Sequence, residues 1–262
     1  MYDIKPNLVI GFHGCDRQVR DTLLLNPDYF KISQKPFDWL GHGLYFWENN
    51  YDRALQCAID KMTRGEIKEP AVIGAVLYLG HCCDFLEQRY IRFLASYYDV
   101  CLDTYTNLGK PLPQNKDLRT DPHKNKILRF LDCAVIEIMH LKLLNQVKAD
   151  IDKPGYPQHK IFDSTRGAFI EGGPAFEGAE IREKTHIQIC IRNPNCIKGF
   201  FLPRRITIQP STPRPDSSST PAPSDSQSSP TPGPRQSPPP TAPSPTQTPP
   251  DWETSSTTSY SR

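Results

Sequence analysis

The segment Trp39-Leu40-Gly41-His42-Gly43-Leu44-Tyr45-Phe46-Trp47-Glu48 constrains the fold more than any other. Two glycines one residue apart make a tight turn, because glycine reaches backbone conformations closed to other residues. The aromatic and apolar run that follows suits a short buried strand. Asn49 or Asn50 can then cap a helix whose apolar face carries Ala54, Leu55, Ala58, Ile59 and Met62 at helical spacing. Gly65 ends that helix.

The rest of the chain divides in two. From Pro210 to Arg262 the sequence is almost entirely Pro, Ser, Thr, Gln and Gly, and fifteen of the 27 prolines fall there. So few apolar side chains cannot offset the entropy of ordering, so residues 210–262 are expected to be a disordered tail. Such a tail can act as a spacer or bind proline-recognising domains. Residues 1–209 have the size of one domain. A net charge of +2 demands neither nucleic acid nor a membrane as partner. No apolar run reaches the roughly 20 residues of a membrane span. The start of the chain lacks the apolar core of an export signal. A cytoplasmic or nuclear location and a reducing environment are therefore expected. The eight cysteines fit buried thiols, and no C-x-x-C pair marks a metal site.

Leu8–His13 reads as a buried strand ending at Gly14, and a short helix follows Asp16. Residues 71–79 form the clearest central strand, apolar on both faces. Asp84–Asn107 reads as one or two helices and 108–125 as a loop. Lys126–Val147 reads as a helix with Ile127, Phe130, Leu131, Ala134, Val135, Ile138, Leu141 and Leu144 on its apolar side. Short strands are expected near Ile161-Phe162 and Ala168–Ile170, and the last strands at 186–191 and 196–202. Short strands with helices inserted mid-chain argue α+β. Without a G-x-G-x-x-G after a strand, a Rossmann fold is disfavoured.

Glycines at 11, 14, 41 and 43 flank His13 and Tyr45. A ligand approaching the backbone favours glycine. A strand-end histidine can bond a ligand hydroxyl, and an aromatic face suits a planar cationic ring such as nicotinamide. His42 lies in the turn, where solvent exposure is expected, and Glu48 precedes a helix N-terminus, which favours an acid.

In combination, Phe12-His13-Gly14, then Gly41-His42-Gly43-Leu44-Tyr45-Phe46, then the small residues of the following helix resemble the ADP-ribosyltransferase superfamily. The branch is that of poly(ADP-ribose) polymerases and diphtheria-type toxins. The resemblance spans most of residues 8–202, but its motifs leave out the helices between Asp84 and Val147. It implies split antiparallel β-sheets around an NAD cleft, with inserted helices. His13 would bind the adenosine-side ribose, Gly14 backbone groups the nicotinamide carboxamide, and Tyr45 the nicotinamide ring. Gly43 and Phe46 fall in the cofactor-binding motif. NAD would be a substrate, and no metal is expected.

The pattern breaks at the third catalytic position. The family usually has Glu there, opening a late strand, and this chain reads His186-Ile187-Gln188-Ile189. Gln188 aligns with that Glu. Its amide can accept a hydroxyl proton in a hydrogen bond but carries no charge for an oxocarbenium-like state, which disfavours chain elongation. Some related NAD-glycohydrolase toxins carry Gln there. Glu171, ending a strand, and His186, on the same strand face as Gln188, are auxiliary acid/base candidates. The expected function is mono-ADP-ribosylation of a protein or nucleic-acid acceptor with release of nicotinamide. The alternatives are an NAD glycohydrolase and a non-catalytic NAD or ADP-ribose binding module.

Overall fold

The computed structural model describes residues 8–152 and 158–204. The segment 210–262, expected to be disordered, lies outside the described residues. In chain order the elements are β1 (Leu8–Asp16), α1 (Arg17–Leu25), β2 (Leu44–Glu48), α2 (Tyr51–Thr63), β3 (Pro70–Tyr78), β4 (Cys82–Asp84), α3 (Gln88–Ala95), α4 (Tyr98–Asn107), α5 (Phe130–Ile151), β5 (Ser164–Phe169), β6 (His186–Ile191) and β7 (Ile197–Phe201). The fold is α+β, as the sequence predicts. Its strands form one seven-stranded sheet in the order β4-β5-β6-β2-β1-β3-β7. That is one connected sheet where separate sheets were expected, and it is mixed, because β4 and β5 run parallel. A parallel pair needs a long crossover. Helices α3, α4 and α5 supply it.

One seam in this sheet is narrow. Strand β1 pairs with β3 over its whole length, from Leu8↔Tyr78 to Asp16↔Pro70. With β2 it shares only Gly11↔Glu48 and Phe12↔Trp47. The ladder with β3 explains why β1 outruns the expected stop at Gly14. Strand β3 is second from the sheet edge rather than central.

Alternation along the strands sorts the core onto two faces. On one, α2 lays Ala54 against Trp47 and Val72, with Phe12 and Tyr51 beside them. On the other, α1 packs Leu23 on Cys15 and Ile73, and Phe46 joins Ala75, Leu77, Ile189 and Ile191. Asn50 caps α2 by accepting from Arg53 N at 3.0 Å. Asp16 caps α1 through Gln18 N at 3.0 Å.

Other expectations need correction. Asp84 ends β4 instead of opening a helix, and the stretch expected to hold one or two helices holds two, α3 and α4. Phe162 is a core residue packed with Tyr90, Met139 and Leu143, not part of a strand, and β5 begins at Ser164. Helix α5 starts at Phe130, not Lys126. Lys124 and Lys126 take positive φ, and Lys116 and Leu128 form an isolated bridge, which holds the approach out of helical form. Asn115 Oδ1 then accepts from Leu131 N at 2.9 Å. The buried face of α5 is Cys133, Val135, Ile136, Met139, His140 and Leu143, whereas Leu141 and Leu144 are exposed. Apolar residues surround most of this helix, so periodicity alone does not select the face. In α2, Met62 is likewise exposed.

Candidate functional site

Beyond Phe12↔Trp47 the ladder between β1 and β2 stops, and the strands part. Continued in register, the Tyr45 carbonyl would face Gly14 N–H. Instead it meets His13 Nδ1 at 2.7 Å. A side chain thus takes the place of a ladder bond. A cleft of about 1270 Å³ opens here, lined from the α1 side by residues such as Leu23 and Phe30 and from the α2 side by Arg53 and Lys61. Pockets for drug-sized ligands span roughly 300–1,000 Å³, so an extended ligand has room.

Of the expected site residues, His13, Gly43, Tyr45, Phe46, Glu171, His186 and Gln188 line this cleft, and Gly14 does not. His13 lies inside β1 rather than at its end. A carbonyl partner can only accept, so Nδ1 carries the proton and Nε2 is left as an acceptor. Burial, helped by the charge of Lys61, lowers the His13 pKa to about 4. The ring is neutral near pH 7.

Tyr45 is fixed by the glycine turn. Its hydroxyl donates to Gly41 O at 2.8 Å and accepts from Leu40 N at 2.9 Å. Burial raises its pKa well above the usual value, so it stays protonated. The ring is held rigidly at the cleft wall.

Packing accounts for two of the three glycines in the motifs, Gly14 and Gly43. A Cβ on Gly14 would overlap the Ala54 carbonyl of α2, and one on Gly43 would overlap Cys190 and Ile191 of β6. Gly43 spends its backbone groups on Ser33, at 2.9 and 3.1 Å. Gly14 differs. Asn49 N donates to Ile10 O at 2.9 Å, and alternation puts the Gly14 peptide groups on that same edge, past the end of the β2 ladder. Lys61 Nζ reaches Gly14 O at 3.1 Å. Phe46 is 2% exposed and belongs mainly to the core.

Gln188 pairs with Trp47 across β2/β6 and is buried. Trp39 Nε1 donates to its Oε1 at 2.6 Å. Indole N–H only donates, so this bond fixes which end of the amide is oxygen. One lone pair of that oxygen is filled, and the amide hydrogens are what Gln188 has left to give. Trp39 is wedged over Gly167 and stands edge-on to Phe169 at 5.1 Å.

Glu171 is held by Arg53 Nη2 at 3.0 Å. His186 bonds Lys184 O through Nδ1 at 2.6 Å, which again leaves Nε2 an acceptor. Burial lowers its pKa to about 4. Glu48, rather than simply facing a helix end, pairs with Arg166 at 2.5 and 3.0 Å. His42 is tied to Glu137, with Nδ1 at 3.3 Å from the carboxylate, and its Nε2 lies 3.9 Å from Cys133 Sγ. Burial pushes the Cys133 thiol up to about 12, which leaves it protonated and inert.

Trp39, Arg53, Lys61 and the wall formed by residues 118–128 are absent from the sequence-derived set. A Trp two residues before the glycine turn was visible, but its partner lies 149 positions away. Among the described residues, no three His, Cys, Asp or Glu side chains gather to hold a metal. Comparison with protein-family models, curated proteins and solved structures gave no match.

Proposed function

We propose that the cleft binds NAD and that the chain transfers ADP-ribose to a macromolecular acceptor, protein or nucleic acid, releasing nicotinamide. The observation that carries this is the convergence of His13, Tyr45 and Gln188, far apart in sequence, on one cleft. The narrow β1–β2 seam serves as the split of the ADP-ribosyltransferase fold. His13 Nε2 accepts a ribose hydroxyl. The Tyr45 ring, rigidly seated, faces the nicotinamide. The glycosidic bond breaks with its electron pair going to the nicotinamide nitrogen. An acceptor atom bonds the anomeric carbon, and its proton passes to solvent. Bonds from this chain to the departing and developing groups matter only where they strengthen in the transition state.

Incubation of the full chain with NAD carrying label in the adenylate half, together with cell lysate, tests this. The expected result is label on macromolecules and free nicotinamide. His13→Ala and Tyr45→Ala should each lower NAD consumption by about a hundredfold, the scale of losing one preorganised contact. Unchanged consumption in both variants removes the site assignment.

The uncharged, Trp39-bound amide of Gln188 favours one second reading, NAD hydrolysis with water as acceptor. Free ADP-ribose without labelled macromolecules would select it. Nucleotide binding without turnover would instead leave a binding module. Recruitment of proline-recognising domains by residues 210–262 is a separate proposal, tested by pull-down with such domains.

A further inference from the structure

Five buried side-chain polar atoms among the described residues lack a hydrogen-bond partner, and three belong to residues lining the cleft: Trp47 Nε1, Arg53 Nε and His186 Nε2. Buried polar atoms are nearly always paired, so such a group needs a reason. These three are neighbours. The Trp47 and His186 rings lie 6.2 Å apart, and the charge of Arg53 acts on His186. His186 is 5% exposed and Trp47 7%.

Their chemistry is complementary. Indole and guanidinium nitrogens only donate. His186 Nε2 only accepts, because its Nδ1–H is committed to Lys184 O at 2.6 Å. Two donors and one acceptor suit a group with two lone pairs to fill and one proton to give, which is a hydroxyl. A phosphate oxygen offers no proton to the imidazole, and a bare cation repels the guanidinium.

We infer that Trp47, Arg53 and His186 form a hydroxyl subsite, and that His186 accepts the 2′-hydroxyl proton of the nicotinamide-bearing ribose in a hydrogen bond. This rests on the NAD reading. His186 stands two residues before Gln188 on the same strand, so the two share a face of β6. Trp39 already fills part of the Gln188 oxygen. The acceptor role that a carboxylate plays elsewhere in the superfamily therefore falls to a neutral imidazole. Glu171 holds Arg53 at 3.0 Å. No proton is transferred to the imidazole.

The test compares NAD with an analogue carrying fluorine in place of that hydroxyl, which keeps an acceptor but has no proton for His186. Binding to the full chain is read by calorimetry. The wild type should prefer NAD by about tenfold, the worth of one hydrogen bond in a buried site. His186→Phe, which keeps an aromatic ring in the Trp47–Phe169 stack, should bind both ligands equally. His186→Gln, which restores an acceptor, should recover part of the preference. A wild type that binds the two ligands equally overturns the subsite, and so does a folded His186→Phe that still discriminates. A wild type that binds NAD without discriminating leaves the NAD reading standing, whereas one that binds neither ligand removes both. Should His186→Phe fail to fold, the wild-type ratio alone still decides.

Discussion

Gly14 shows how packing can demand a glycine next to a cleft residue. A side chain there would strike the Ala54 carbonyl, a backbone atom that cannot rotate away. Gly14→Ala must push α2 outward, and overpacking of this kind typically costs about 1–3 kcal/mol. Urea denaturation should show that loss, and NAD binding should fall with it because α2 carries Arg53 and Lys61 into the cleft. If stability is unchanged, the contact is looser than it stands. His13, Tyr45 and Gln188 were legible because their neighbours in sequence (glycines, aromatic residues, strand alternation) mark local geometry. Trp39 and Arg53 were not, since each acts through a partner more than a hundred positions away, on Gln188 and Glu171. Gly43 was legible as a glycine, though the reason for it, contact with β6, lies in tertiary structure.

At the scale of elements, Arg166 joins three strands. From β5 it reaches Glu48 on β2 at 2.5 and 3.0 Å and Asp84 on β4 at 2.9 Å. Asp84 is fully buried. Arg166→Met removes a guanidinium shared by two carboxylates, and breaking a buried pair from one side costs about 3–5 kcal/mol. Chemical denaturation should show a loss on that scale. A change below about 1 kcal/mol would mean that water already screens the cluster. Strands with strong apolar patterns were read nearly to the residue, as β3 and β6 show. Where long-range contacts decide, local pattern misled. The start of α5 is set by Asn115 and by positive φ at Lys124 and Lys126. The three residues of β4 exist only because β5 pairs with them.

For the molecule as a whole, three histidines are held neutral by burial. The pKa is lowered to about 4 for His13 and His186 and to about 3 for His140. Their ordinary value is 6.5. A histidine whose pKa is lower folded than unfolded binds its proton more readily in the unfolded chain. Above pH 6.5 neither state is protonated, and these residues leave stability unaffected. As pH falls from 6.5 toward 4, the unfolded chain takes up protons that the folded one refuses, and stability drops. Below about pH 3 both states are protonated and the full loss has accrued. Two of the three line the cleft, so ligand affinity should weaken over the lower part of that window, as protonation of Nε2 converts each acceptor into a donor. Urea midpoints taken between pH 8 and 4 should be flat at the alkaline end and fall below about pH 6.5. His140→Phe, away from the cleft, should flatten the stability slope while leaving the pH dependence of NAD binding in place. Parallel loss of both in that variant would show that the cleft histidines do not titrate separately from the core.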